Sequence, residues 1–266
     1  MDMGQTVSES VGSGSFHWGM FVGLWLLGMA GVVSLLAAPL AVPAGQELPF
    51  SEGVMKVIGF IQSGVFLAVL VGVGTRLAPQ LGLRAPFIET VGSDQPAWSV
   101  LGGQLLPAVV GGVVAGVLIV GLARLAMPFL PADYVEMAAN VEIPLAARFL
   151  YGGITEELML RWGLMTLIAW GLWRVAGSGV GAPAGWMMVV AIVIAAFLFG
   201  VGHLPALYGM VASPTTLLIM MVIGLNMVGG LIYGWLYWQK GLEAAFIAHM
   251  MTHVVMVASA AVMSSG

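Results

Sequence analysis

Residues 186–204 read WMMVVAIVIAAFLFGVGHL, nineteen consecutive positions without an aspartate, glutamate, lysine or arginine. An α-helix that crosses the hydrocarbon core of a bilayer needs about 20 mainly apolar residues, and this stretch has that length and character. It therefore predicts a transmembrane helix that carries one ionisable side chain, His203, near its end.

Six further apolar runs flank this stretch along the chain: 18–42, 54–75, 100–127, 146–173, 215–238 and 242–262. Of the 266 residues, 60% are hydrophobic and 8% are charged, whereas about 25% of a soluble globular domain is charged. The mean hydropathy is +1.04. We therefore expect an all-α membrane protein, a polytopic helical bundle with about seven transmembrane helices, within a range of six to eight, around a polar intramembrane cavity.

The composition also limits the chemistry. The chain has no cysteine, which excludes a thiol nucleophile, disulfides and thiolate metal ligands. Its aspartates, Asp2, Asp94 and Asp133, all lie outside the predicted spans, which argues against an aspartyl intramembrane protease. The net charge of -4 is small and scattered, so it does not indicate a nucleic-acid partner.

Two of the predicted helices carry glycines at GxxxG spacing. These pairs are Gly112 with Gly116, and Gly230 with Gly234. Small residues at this spacing let helix backbones approach closely in lipid, so we expect both pairs to form packing faces.

Five ionisable residues stand inside otherwise apolar runs: Glu156, Glu157, His203, His249 and His253. An ionisable side chain in hydrocarbon costs roughly 3 kcal/mol or more on insertion scales, and such residues generally face the interior of a bundle. The group therefore predicts a polar functional site within the membrane.

The two glutamates differ in their relation to Arg161. Glu157 lies four residues before Arg161 and can pair with it on one helical face. On a 3.6-residue period, Glu156 lies about 140° from Arg161, so its charge is less easily neutralised, which suits a general acid or base. The spacing leaves a second interpretation open, in which both carboxylates are tied to Arg161 and to polar groups on neighbouring helices.

The histidines are also ambiguous when each is taken alone. His203 follows Phe199 by one turn at the end of a span, where a histidine is often interfacial. His249 and His253 are four residues apart on one helical face, where two imidazoles can bind one metal ion or donate hydrogen bonds to one anion.

Together, however, these residues form a more specific pattern. Glu156-Glu157-x-x-x-Arg161, Phe199-x-x-x-His203 and His249-x-x-x-His253 occur in this order on three late spans. This order resembles the CAAX protease and bacteriocin-processing (CPBP) family of intramembrane endopeptidases, whose eukaryotic relative is CAAX prenyl protease 2. On this resemblance the chain divides into a polar N-terminal tail (1–17), N-terminal transmembrane helices (18–139) and a CPBP-like catalytic core (140–262).

The resemblance implies that Glu156, assisted by His203, activates water, while His249 and His253 stabilise the oxyanion. Glu157, Arg161 and Phe199 would support them, with Glu157 and Arg161 positioning Glu156. Position 253 departs from the prenyl protease, which has asparagine there, although bacterial relatives have histidine. The resemblance also implies a peptide or membrane-anchored protein as substrate. From the composition we expect contact with the lipid bilayer and no nucleic-acid partner, and the acidic, lysine-poor character suggests a place in the bacterial inner membrane.

Metal dependence stays open on the residues alone. Glu156, His203, His249 and His253 could together ligate Zn²⁺, because catalytic zinc sites commonly use three protein ligands and a water molecule. The same residues suffice for a metal-free glutamate mechanism, and the chain has no His-Glu-x-x-His pair. We favour the mechanism without a cofactor and keep zinc as the alternative.

Two other functional classes remain as rivals. One is a non-proteolytic scaffold or bacteriocin-immunity protein of the same family. The other is a proton-coupled transporter, because buried glutamates and histidines also form proton relays. Transporters often have two related halves, and the sequence shows none.

Overall fold

The computed structural model describes residues 16–40, 49–91, 96–140, 143–211 and 213–264. Residues 1–15 of the predicted N-terminal tail lie outside this part of the chain, and so do residues 41 and 42 at the end of the first predicted span. The following account concerns the described residues.

The described residues form helices and their connections. One helix, which we call α6, consists of two π-helical stretches, Ala147–Glu156 and Leu158–Met165, followed by the α-helix Thr166–Ala176. The other helices are α1 (Trp18–Ser34), α2 (Glu52–Leu77), α3 (Pro86–Glu89), α4 (Ala97–Ala126), α5 (Ala132–Asn140), α7 (Gly185–Gly202), α8 (Leu204–Met210), α9 (Thr216–Lys240) and α10 (Leu242–Ser264).

The protein is an all-α polytopic membrane bundle, as the sequence predicts. Among the described residues, six helical segments are long and apolar enough to cross a membrane: Trp18–Ala37, Glu52–Leu81, Trp98–Phe129, Gly185–Met210, Thr216–Lys240 and Leu242–Val262. Large apolar side chains such as Leu26, Ile61 and Leu106 are exposed on their outer faces, as contact with lipid requires. The remaining predicted span, 146–173, corresponds to α6, which carries the buried charges Glu157 and Arg161.

The geometry of α6 differs from the sequence prediction. A 3.6-residue period was expected around Glu156, but the backbone there is π-helical on both sides of Glu157. A π-helix forms hydrogen bonds between residues five apart, so Glu156 and Arg161 are closer in rotation around α6 than an α-helix would place them. The angle of about 140° between them is therefore wrong, whereas the predicted pairing of Glu157 with Arg161 is confirmed, with Nε of Arg161 3.1 Å from Oε2 of Glu157.

Helix α6 is held by helices from both ends of the chain. Its first stretch packs against α1 and α10, and its second stretch packs against α2 and α7. The hydroxyl of Thr155 donates a 2.6 Å hydrogen bond to the carbonyl of Gly28 on α1. The indole of Trp162 donates a 3.4 Å hydrogen bond to Thr75 on α2. Contacts with α1 and α2 therefore help to fix α6 on both sides of Glu156.

The two GxxxG pairs form packing faces, which confirms the prediction. Gly112 lies against the backbone of Ala248, and a β-carbon at Gly116 would come within 2.6 Å of Val255 on α10. On α9, β-carbons at Gly230 and Gly234 would come within 3.0 Å of Ala196 and Ile192 on α7. The small residues therefore bring α4 close to α10, which carries His249 and His253. They also bring α9 close to α7, which His203 follows directly.

Candidate active site

The predicted site residues meet in one cavity among the membrane helices. Its volume is about 570 Å³. Glu156 from α6, His203 from the junction of α7 and α8, and His249 and His253 from α10 all line it. Most of the other lining residues are apolar. The cavity therefore places four polar groups in a mainly apolar surrounding.

Glu156 lies between two histidines. Its Oε1 is 4.0 Å from Nε2 of His203, and its Oε2 is 4.0 Å from Nε2 of His249. The Glu156 side chain is 16% exposed, whereas that of Glu157 is fully buried. The two adjacent carboxylates thus point into different surroundings, and Glu156 is the one that reaches the cavity.

The Glu157 carboxylate joins Arg161 to His249. Its Oε2 is paired with Arg161 as described above, and its Oε1 lies 2.8 Å from Nδ1 of His249. The family resemblance implied that Glu157 and Arg161 position Glu156, and nothing in the sequence indicated this contact with His249. Residues 157 and 249 are 92 positions apart on different helices, so helical spacing carries no signal for their contact.

Aromatic rings surround the buried charges. Tyr233 stacks on the ring of His249, with centroids 4.6 Å apart and an interplanar angle of 21°. The Arg161 guanidinium lies 4.9 Å from the ring centroid of Phe199 and 5.4 Å from that of Tyr233. These distances allow cation-π attraction on a desolvated guanidinium. Tyr233 was not among the predicted site residues, although the Gly-rich, aromatic stretch from Asn226 to Tyr237 precedes the last motif.

The Tyr233 hydroxyl is fixed by a chain of hydrogen bonds to α4. It donates a 2.7 Å hydrogen bond to Oγ1 of Thr252. Thr252 in turn lies 3.0 Å from the carbonyl of Gly112 and 3.0 Å from that of Ala248. Tyr233 is therefore held at its hydroxyl while its ring supports His249.

The Phe199-x-x-x-His203 motif fixes the orientation of its histidine. Nδ1 of His203 lies 2.9 Å from the backbone carbonyl of Phe199. A carbonyl oxygen only accepts hydrogen bonds, so we assign the imidazole hydrogen to Nδ1. Nε2 then faces Glu156 as a hydrogen-bond acceptor. The ring of Phe199 also meets that of His203 edge to face at 4.8 Å.

His253 lies next to His249, and its ring nitrogens are not engaged. The two imidazoles stack with centroids 4.9 Å apart and an interplanar angle of 18°. Within the part of the chain that the structure describes, both ring nitrogens of His253 are buried and have no hydrogen-bond partner. Other atoms of His253 line the cavity.

The donor set does not fit a zinc ion as it stands. The hydrogen bonds at Nδ1 of His203 and His249 resemble the outer-shell contacts of zinc-ligating histidines. However, two ligand atoms that each lie about 2.1 Å from a tetrahedral zinc ion are about 3.4 Å from each other. The carboxylate oxygens of Glu156 are instead 4.0 Å from Nε2 of His203 and from Nε2 of His249. Among the described residues, no group of three or more histidine, aspartate or glutamate side chains is arranged to hold a metal ion.

Comparison with known proteins finds a family similarity in the segment that carries this site. Residues 139–255 match the family model described as "Type II CAAX prenyl endopeptidase Rce1-like". No curated protein matches the chain, and no solved structure does. The matched segment, somewhat less than half of the chain, contains all three motifs and all four cavity residues named above. This confirms the resemblance seen in the sequence: residues 139–255 are similar to the Rce1-like type II CAAX prenyl endopeptidases.

Proposed function

We propose that the protein is a glutamate-type intramembrane endopeptidase, which hydrolyses a peptide bond of a peptide or a membrane-anchored protein. The observation that carries this proposal is the position of Glu156, whose carboxylate oxygens each lie 4.0 Å from Nε2 of a histidine inside a cavity among membrane helices. A carboxylate and imidazoles facing one space are the groups that acid-base hydrolysis requires.

Glu156 and His203 activate the water molecule. With its hydrogen on Nδ1, His203 presents an acceptor nitrogen 4.0 Å from Oε1 of Glu156. A water molecule that contacts both groups donates one hydrogen to each, which turns its lone pair toward the substrate. Glu156 takes one proton as the water oxygen bonds to the peptide carbonyl carbon. The same proton then passes to the leaving nitrogen as the carbon-nitrogen bond breaks, which restores Glu156.

His249 and His253 stabilise the negative oxygen that forms in this step. Both lie on the same face of α10 and both line the cavity. Hydrogen-bond donors that are already in place where charge develops are among the largest contributors to hydrolytic catalysis. His253, with two unengaged nitrogens, supplies one donor, and His249 supplies the other from Nε2 when its ring is protonated.

The cavity also suggests the kind of substrate. Apart from the polar groups named above, its lining is mainly apolar, which suits an extended apolar peptide segment. The bundle lies in the bilayer, so such a segment can belong to a membrane-anchored protein as well as to a free peptide. We place the protein in the bacterial cytoplasmic membrane.

The test is the purified protein with Glu156→Gln, assayed by mass spectrometry on a library of apolar peptides in detergent. We expect wild-type cleavage, and a loss of at least about 100-fold in the variant, since general acid-base groups contribute about 10²–10⁴-fold. Glu243→Gln is the matched control, because Glu243 is a buried carboxylate on α10 that accepts a hydrogen bond from Ile88 and does not line the cavity.

The control variant and the wild type should cleave at similar rates. Thermal unfolding in detergent checks that Glu156→Gln is folded. A folded Glu156→Gln protein that cleaves at the wild-type rate would contradict the proposal, and so would a wild type that cleaves none of the peptides. A scaffold or immunity protein gives the second result.

A further inference from the structure

We propose that Glu157 is a positioning residue for His249: it holds the imidazole with Nδ1–H toward itself and Nε2 toward Glu156 and the cavity. The role of this arrangement in catalysis rests on the proposed function, whereas the arrangement itself rests on the contact between Glu157 and His249. It differs from the sequence-based assignment, in which Glu157 supports Glu156.

The first step concerns the charge of Glu157. Its carboxylate lies 3.1 Å from Nε of Arg161, and both side chains are almost completely buried. A guanidinium stays protonated in proteins, and a buried cation without a counter-charge is strongly unfavourable. Glu157 forms an ion pair with the Arg161 guanidinium, so the Glu157 carboxylate is ionised.

The second step concerns the hydrogen on His249. An ionised carboxylate accepts hydrogen bonds and has no hydrogen to donate. Because Oε1 of Glu157 lies 2.8 Å from Nδ1 of His249, the hydrogen of that contact belongs to the imidazole. The neutral ring is therefore protonated at Nδ1. Its Nε2, 4.0 Å from Oε2 of Glu156, has a free lone pair.

The third step concerns the orientation of the His249 ring, which depends on its contact with Glu157. Tyr233 and His253 stack on the ring of His249 and fix its plane. A ring turned by 180° about its Cβ–Cγ bond would keep both stacks but would put Cδ2 in the place of Nδ1 and Cε1 in the place of Nε2. The hydrogen bond to Glu157 distinguishes the two orientations. Stacking thus sets the plane of the ring, and Glu157 sets which edge of the ring faces it, which leaves Nε2 directed at Glu156.

The consequence for catalysis follows from the tautomer. His249 can donate a hydrogen bond from Nε2 to an oxyanion only when that nitrogen also carries a hydrogen. Oxyanion stabilisation by His249 therefore requires the imidazolium, in which Nδ1 still donates to Glu157. The titratable and charged groups that face His249 come from three packed helices and its own: Glu156, Glu157 and Arg161 on α6, His203 after α7, Tyr233 on α9 and His253 on α10.

The first experiment reads the tautomer without reference to activity. Protein labelled with ¹⁵N-histidine is purified in detergent, and the His249 signals are assigned by their loss in His249→Gln. We expect the wild-type ring to be protonated at Nδ1 in its neutral form, and Glu157→Gln to give a mixture of tautomers. A wild-type His249 protonated at Nε2 and bare at Nδ1 would overturn the proposal. The wild-type spectrum is decisive even if Glu157→Gln does not fold.

The second experiment measures kcat and KM for peptide cleavage by the wild type, Glu157→Gln and the control Glu243→Gln. We expect Glu157→Gln to lower kcat at least about 10-fold with KM within about twofold, because a His249 that no longer presents Nε2 to the cavity cannot stabilise the oxyanion. Glu243→Gln should keep the wild-type kcat and KM.

The outcomes separate this inference from the proposed function. If Glu157→Gln keeps both the wild-type kcat and the wild-type tautomer while Glu156→Gln is inactive, Glu157 does not position His249 and the protease proposal stands. If Glu156→Gln cleaves normally, the protease proposal fails, and the tautomer measurement still decides the position of His249.

Discussion

Gly152 lies directly beside the imidazole of His253. A β-carbon on Gly152 would come 2.6 Å from Nε2 of His253, which is closer than such atoms can approach. Gly152 stands in the π-helical stretch of α6, four residues before Glu156, and both Gly152 and His253 line the cavity. The missing side chain at position 152 therefore makes room for His253 beside the helix that carries Glu156.

This relationship predicts the effect of Gly152→Ala. The added methyl group must displace the ring of His253, so we expect cleavage to fall about 10-fold or more while the protein stays folded. Gly171→Ala is the matched control, because a β-carbon at Gly171 on α6 has no neighbouring atom within 4 Å. The control should keep its activity and gain up to about 1 kcal/mol of stability, since alanine favours helix over glycine. The cleavage rates and unfolding temperatures of both variants are measured. Equal cleavage rates would show that activity does not depend on the position of the His253 ring.

A second prediction concerns the chemistry of His253. We expect His253→Asn to retain cleavage within about 10-fold, because an asparagine amide can donate a hydrogen bond to the oxyanion. His253→Ala has no donor and should lose about 100-fold or more, as expected when an oxyanion donor is removed. Both rates are measured on the same peptides and across the same range of pH.

The shape of the pH profile then shows how His253 donates. If His253 acts as a neutral donor, His253→Asn keeps the wild-type profile. If it acts as a cation, the profile of His253→Asn loses one titrating limb. Equal losses in the asparagine and alanine variants would contradict a donor role at this position.

The sequence predicts what is local along the chain, and the reason is physical. A span is a property of about 20 consecutive residues, and the pairing of Glu157 with Arg161 depends on a separation of four within one helix. Among the described residues, six of the seven predicted spans are helices long and apolar enough to cross a membrane, and the pairing is confirmed. The π-helical geometry of α6 was not predicted, because apolar periodicity does not distinguish bonds between residues four apart from bonds between residues five apart.

The spacing of residues along one helix does not predict contacts between helices. The hydrogen bond from Thr155 to Gly28 joins residues 127 positions apart, and the stack of Tyr233 on His249 joins α9 to α10. The family match begins at residue 139, yet α1 and α2 hold the helix that carries Glu156. The support that α1 and α2 give to α6 is therefore seen in the structure and could not be predicted from the sequence.

The third prediction concerns metal. We expect protein purified in detergent to contain no stoichiometric zinc and to cleave peptides equally fast with and without a strong chelator. The reason is geometric: Glu156 lies 4.0 Å from Nε2 of both His203 and His249, farther than two ligands of one tetrahedral zinc ion stand apart. Elemental analysis of the purified protein and cleavage rates before and after chelation provide the measurement.

A soluble zinc protease in the same detergent and chelator shows that chelation is complete under these conditions. Zinc that is bound one per chain and lost together with activity would contradict the glutamate mechanism, because Glu156, His203, His249 and His253 would then be ligand candidates. Even in that case the hydrogen on Nδ1 of His249 would stay directed at Glu157, since a ligating Nε2 and a donating Nδ1 use the same tautomer. The metal measurement therefore decides the role of Glu156 and leaves that of Glu157 to the experiments on His249.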